Sequence, residues 1–197
     1  ADVLNLFTET ALEIGEGQQY DMEFEQRNDV TEAEYIEMIR LKTSVLLACA
    51  LKIGALLADA PEADCDNLYR FGEKIGLAFQ LQDDFLDVYG DTKVFGKAIG
   101  GDILAGKKTF MLINALAHAN DSQRKELEQW LAINDRPKEK IEAVTRLYNE
   151  IGIDRMATEK IAFYFAESHR YLEAVNVDET RKIELRRYAE RMMKRQY

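Results

Sequence analysis

The chain has 197 residues, 47% of them hydrophobic and 31% charged, with a formal charge of -10, a balance that suits one folded domain with a substantial core. The acidic excess excludes the basic face that non-specific nucleic-acid binding needs, and two cysteines exclude a disulfide framework. No apolar stretch approaches the roughly 18 residues of a membrane span and no signal-peptide pattern is visible, so the expected setting is cytoplasmic, without stable membrane insertion.

Two prolines and abundant Ala, Leu, Glu, Lys and Arg favour helix nearly throughout. A first helix is predicted over about residues 2–26, where Val3, Leu4, Phe7, Leu12 and Ile14 fall at helical spacings. It is amphipathic from its first residues, as a chain entered partway through a helix would be. Gly15 and Gly17 either weaken this helix or admit another backbone close by. Thr31 followed by Glu34 reads as a capping box that opens a second helix to about Asp59. Within it the run Val45–Leu51 makes Cys49 a buried thiol. Large apolar residues on wide arcs of these two helices, among them Leu4, Phe7, Leu12, Leu46, Leu47, Leu51 and Ile53, exceed what one bundle face needs and suggest a subunit interface.

Pro61 punctuates, and a third helix is predicted over about residues 64–89. A glycine- and lysine-rich loop follows, then a helix through Phe110, Leu112, Ile113, Leu116 and Ala117. Asp121 or Ser122 caps the next, and Pro137 suits the first position of another. Gly152 separates that from an aromatic-rich helix containing Ile161, Phe163, Tyr164, Phe165 and Tyr171. Asp178 starts the last helix, and residues 181–197 hold seven Lys or Arg against two acidic residues, cations that oppose the macrodipole at a helix end. No strand-like alternation or repeat persists. The expected fold is an all-α bundle.

The third helix carries the chemistry. Gln82-Asp83-Asp84-Phe85-Leu86-Asp87 sets three carboxylates in an apolar run, with Asp83 and Asp87 one turn apart on one face and Asp84 about 100° round. Like charges at that spacing repel by roughly 0.2–0.5 kcal/mol even when exposed, and by more as water is withdrawn. Oxygen ligands point to a hard cation, and Mg²⁺ held by carboxylates completes its shell with water and phosphate. From Asp83 to Thr109 there are five acidic residues and four lysines, Lys93, Lys97, Lys107 and Lys108, with glycines at 90, 96, 100, 101 and 106. That combination suits a polyanion bridged by a metal and neutralised by ammonium groups. The plain alternative is an acidic surface helix beside a solvated loop.

Four stretches in order, GQQYD (Gly17–Asp21), KTSVLL (Lys42–Leu47), FQLQDDFLDVYGD (Phe79–Asp91) and GKAIGGDILAGKKTF (Gly96–Phe110), resemble the trans-isoprenyl diphosphate synthases, or polyprenyl synthetases. The resemblance runs collinearly from near Leu4 to the C-terminus. It implies an isoprenoid-synthase-type helical bundle around a central cavity, forming a homodimer. It also implies a prenyltransferase that condenses isopentenyl diphosphate with an allylic diphosphate, Mg²⁺ drawing off the allylic diphosphate to leave a carbocation. By the same resemblance Asp83, Asp84 and Asp87 are metal-binding. Lys42, Lys97 and Lys107 contact diphosphate, although Lys108 leaves the register at Lys107 open. Thr43 and Gln80 place oxygens near the carbocation, and Gln18, Asp21 and Phe79 line the prenyl site. A basic tail in the family closes over the entrance, which Lys194 or Arg195 would supply here.

Departures from the family pattern are equally clear. The family's first aspartate-rich motif, the arginine pair after it, the basic residues that hold isopentenyl diphosphate and those that limit product length do not occur in this chain. The expectation is therefore the C-terminal part, residues 1–197, of a single polyprenyl synthetase domain whose N-terminal helices are missing, inactive by itself. The alternatives are a non-catalytic helical partner subunit of a heteromeric synthase and, more remotely, a terpene cyclase.

Overall fold

The computed structural model describes residues 2–90 and 99–194. Within them the chain forms α1 (Asp2–Gln26), α2 (Glu32–Ile39), a π-helical turn (Arg40–Ser44), α3 (Val45–Leu57), α4 (Glu62–Tyr89) and α5 (Gly101–Ala105). There follow α6 (Phe110–His118), α7 (Asp121–Ala132), α8 (Pro137–Ile151), α9 (Ile153–Glu173) and α10 (Glu179–Lys194). No strand occurs among the described residues, and no helix among them is long and apolar enough to cross a membrane. The all-α expectation holds.

Local chemistry explains where elements start and stop. Thr31 Oγ1 accepts from the Glu34 amide while Glu34 Oε2 accepts from the Thr31 amide, completing the expected capping box. Pro137 opens α8, and Gly152, at φ 86°, lets the chain turn directly into α9. The cap of α7 differs from expectation. Asn120, not Asp121 or Ser122, closes a capping box with Gln123, because the side-chain amide oxygen of the residue just before the helix accepts from the third helical amide as well as a hydroxyl does.

α4 is the centre of the molecule, packed along α9 on one side and α3 on the other. Phe71, Ile75 and Ala78, then Leu77, Leu81 and Val88, are buried at i+3, i+4 and i+7 intervals, so two stripes of one helix serve two neighbours. The larger core joins Tyr35, Leu77, Leu81, Phe110, Met111, Leu147 and Tyr148, each large side chain worth about 1.5–3 kcal/mol when withdrawn from water. A smaller cluster of Phe71, Ile75, Leu172 and Ala189 seats α10.

Glycines set how near the backbones come. A Cβ on Gly72 would stand 2.7 Å from Ala48 Cα, and one on Gly76 would stand 2.7 Å from Ser44 Cα. A Cβ on Gly17 would stand 2.4 Å from the Lys42 amide nitrogen. Both readings of the glycines in α1 find a place: Gly17 admits the backbone of the π turn, whereas Gly15 faces open space.

Candidate active site

The second predicted helix is one continuous helical rod interrupted at residues 40–44, where bonding widens to a π turn. Such turns add one residue and redirect the side chains that follow. Here the turn carries Lys42 and Thr43 toward α1 and α4. Lys42 Nζ donates to Asp21 Oδ2 of α1 at 2.5 Å, and Thr43 Oγ1 donates to Gln80 Oε1 of α4 at 3.3 Å. Four expected site residues thus pair across three elements. The Lys42 side chain lies beside the Asp21 carboxylate, about one third exposed.

One to two turns further along α4 the three aspartates separate. Asp83 and Asp87 are half-buried. Asp87 Oδ2 accepts from the Asp102 amide at 2.9 Å and its backbone oxygen accepts from the Gly100 amide at 2.6 Å, so this residue pins the start of α5. Asp84 points the other way. It is 3% exposed, Tyr35 Oη donates to its Oδ2, and burial pushes its pKa up to about 7 against the pull of that hydrogen bond. The 100° between neighbouring residues on α4 thus puts Asp84 in the core beside Tyr35, apart from the other two carboxylates of the expected metal-binding set.

Asp102 takes a place that sequence reasoning missed. Its pKa is raised first by burial and then by the charges of Asp87, Asp21 and Asp83, while Lys107 lowers it. Four aspartates from α1, α4 and α5 thus act on one region, with one lysine opposing them. The signal was present in GGDILAGKK, an acid between a glycine pair and a lysine pair, but its register toward α4 depends on the turn before it. Tyr35 was also missed, because a tyrosine seven residues before Lys42 carries no mark of its distant partner Asp84.

Gly106, at φ 63°, ends α5, and the Lys107 amide returns to Asp102 O at 3.0 Å. A cleft of about 330 Å³ opens there, lined by Asp21, Phe24, Ala105, Gly106, Lys107 and Lys108. Both lysines reach it, so the register between them stays open. Phe79 is half-buried on α4, and Gln18 is exposed one turn before Asp21 on α1. Lys97 and Arg195 lie outside the described residues. Lys194 stands 3.9 Å from Glu190, and Arg186 pairs with Glu173 at the end of α9.

Among the described residues no group of three or more His, Cys, Asp or Glu side chains is arranged to hold a metal ion by itself. The donors nevertheless fit Mg²⁺. They are carboxylate oxygens, burial and then the charges of Asp87, Asp21 and Asp83 raise the pKa of Asp102, and Mg²⁺ is typically held by one or two carboxylates with water and phosphate completing the octahedron.

Known proteins resemble this chain in sequence and in fold. A short chain isoprenyl diphosphate synthase of Methanothermobacter thermautotrophicus is 42% identical over 134 residues, 68% of this chain and 41% of that protein. A geranylfarnesyl diphosphate synthase of Natronomonas pharaonis is 33% identical over 196 residues, 100% of this chain and 55% of that protein. A crystal structure of a geranylgeranyl pyrophosphate synthase superposes with a TM-score of 0.92 at 36% identity, covering 100% of this chain and 61% of that one. The chain therefore spans about half the length of these relatives. The polyprenyl synthetase profile matches residues 1–151, and with the helical fold and the ordered motifs it settles the family: this chain belongs to the polyprenyl synthetases.

Proposed function

We propose that this chain is the C-terminal part of a trans-polyprenyl diphosphate synthase and supplies the diphosphate-ionising half of its active site. The substrates are isopentenyl diphosphate and an allylic diphosphate, and the metal is Mg²⁺. The observation that carries this reading is the convergence of Lys42–Asp21, Thr43–Gln80 and the Asp83, Asp87, Asp102 and Lys107 group along one end of α4.

In the reaction the allylic C–O bond breaks, its electron pair leaving with diphosphate. The isopentenyl alkene then forms a C–C bond to the allylic carbon, and a proton is lost to the departing diphosphate. Asp83 and Asp87 would hold the metal, and the chemistry supplied by bound Mg²⁺ is neutralisation of charge on the leaving group. Lys42 and Lys107 add fixed positive charge at the same place, and Asp21 keeps Lys42 aimed there in the resting state. Thr43 and Gln80 hold each other so that an oxygen faces the developing carbocation. Tyr35 holds Asp84 in the core and so fixes the rotation of α4 that presents Asp83 and Asp87.

The protein is further proposed to work as a cytoplasmic homodimer. Leu4, Phe7, Leu12 and Leu46 are 53–68% exposed, leaving an apolar face on α1 and α3 that a second copy would cover.

The test is turnover by the full-length protein carrying this chain, with Mg²⁺ and both diphosphates. Asp83→Ala should lower the condensation rate by about 10²–10³, the loss typical of one transition-state charge contact, with the helical circular dichroism retained. Near-normal turnover by that variant refutes the reading.

A further inference from the structure

Lys140 is a buried cation that the proposed reaction does not use. It is 2% exposed, and among the described residues no carboxylate lies within ion-pair distance of it. Its Nζ instead donates to two backbone oxygens, Leu104 O at 3.3 Å and Leu131 O at 3.1 Å. Both carbonyls lie in the last turns of helices, α5 and α7, where carbonyls lack intrahelical partners and a cation opposes the dipole. Burial lowers the pKa of this lysine, so its placement works against its own charge and needs a return elsewhere.

The return is visible in what α5 does. α5 has only five residues and cannot hold itself together by propagation alone. At its start Asp87 of α4 binds the Asp102 and Gly100 amides, and a Cβ on Gly100 would stand 2.7 Å from Ile141 Cδ1 of α8. At its end the neighbouring residue of α8, Lys140, binds Leu104. The turn is thus gripped at both ends, between a candidate metal ligand and the α8 pair Lys140–Ile141. Asp102 lies inside the grip, and Lys107, tied by its amide to Asp102 O, lies immediately after it.

We propose that Lys140 is a positioning residue: by holding α5 at Leu104 it sets where Asp102 and Lys107 stand relative to Asp83 and Asp87. It touches no substrate, and its effect reaches the diphosphate only through α5. This rests on the function proposed above for that site, but the geometry of α5 can be tested apart from turnover.

The experiment compares Lys140→Met with the unchanged full-length protein by amide hydrogen exchange and by steady-state kinetics. Exchange across residues 101–107 should accelerate at least tenfold while amides in the buried middle of α4 and α9 are unchanged. The Michaelis constant for the allylic diphosphate should rise about fivefold, with kcat changed less than twofold. Unchanged exchange in α5, acceleration spread evenly over the whole protein, or an unchanged Michaelis constant each overturns the proposal. If Lys140→Met does not fold, Lys140→Gln is measured in its place, since it keeps a donor for one of the two carbonyls. Intermediate shifts in both readouts are then expected, and no shift in either overturns it. A full-length protein that makes no prenyl product refutes the function, whereas the exchange result bears on Lys140 alone.

Discussion

Two glycines two residues apart in α1 should respond to the same substitution with opposite signs. Gly17→Ala places a methyl 2.4 Å from the Lys42 nitrogen and 2.8 Å from Leu41 Cβ and Lys42 Cα. Non-bonded heavy atoms settle near 3.5–4.0 Å, so α1 must move off the π turn by about 1 Å. The obstacles are mostly backbone, with no flexible tip to swing aside. Overpacking of this kind costs about 1–3 kcal/mol, against which alanine returns about 0.5–1 kcal/mol of helix propensity. The net loss centres on about 1 kcal/mol, which lowers Tm by about 2–4 °C for a chain of this size. Gly15→Ala meets nothing within 4 Å and keeps the propensity gain, so its Tm should rise by about 1–4 °C. Thermal circular dichroism of both variants and the parent under one buffer and concentration makes the comparison. A Gly17→Ala protein as stable as the parent would refute the close-approach argument. The shift of α1 should also loosen Lys42 from Asp21, so prenyl transfer by Gly17→Ala should fall more than its stability loss explains.

Tyr35→Phe removes the phenolic donor that Asp84 Oδ2 accepts from in the core and should destabilise by about 1–3 kcal/mol in urea titration; Asp84→Asn, which keeps an acceptor for Tyr35 and removes the buried charge, should cost less. Residues 1–197 alone, given Mg²⁺, isopentenyl diphosphate and an allylic diphosphate, should yield no chain-elongated product by radiometric thin-layer assay, and turnover comparable to the full-length protein would show that the residues beyond this chain are dispensable. Sedimentation of the full-length protein at micromolar concentration should give a dimer that Leu46→Glu shifts toward monomer, since Leu46 is 53% exposed on α3.

Helix identities were legible because amphipathic periods, Thr31–Glu34, Pro137 and Gly152 are local signals, and local signals survive into the structure. The site residues were legible only through family resemblance, and their pairing was not legible at all, since Lys42–Asp21 spans 21 residues and Thr43–Gln80 spans 37. What could not be read was rotation. An apolar helix with three aspartates does not say which carboxylate turns inward, and the answer lay in Tyr35, 49 residues upstream. Asp102 escaped for a similar reason: its proximity to Asp87 is created by a turn that no periodicity announces. Lys140 carries no sequence mark of the two distant carbonyls it binds.

The π turn has a consequence for how this site can change over time. The rod formed by α2 and α3 meets α4 along two separate seams, Tyr35 on Asp84 at one end, and Ser44 and Ala48 on Gly76 and Gly72 at the other. A uniform helix could match only one of them, because one residue more or less swings everything beyond it by about 100°. The widened turn reconciles the two, and Lys42 and Thr43 stand on the residues that do so. Shortening residues 40–44 by one would restore ordinary winding while unlocking one seam. Point substitution can alter what these two side chains are, but the direction they face is fixed by an arithmetic mismatch between distant contacts.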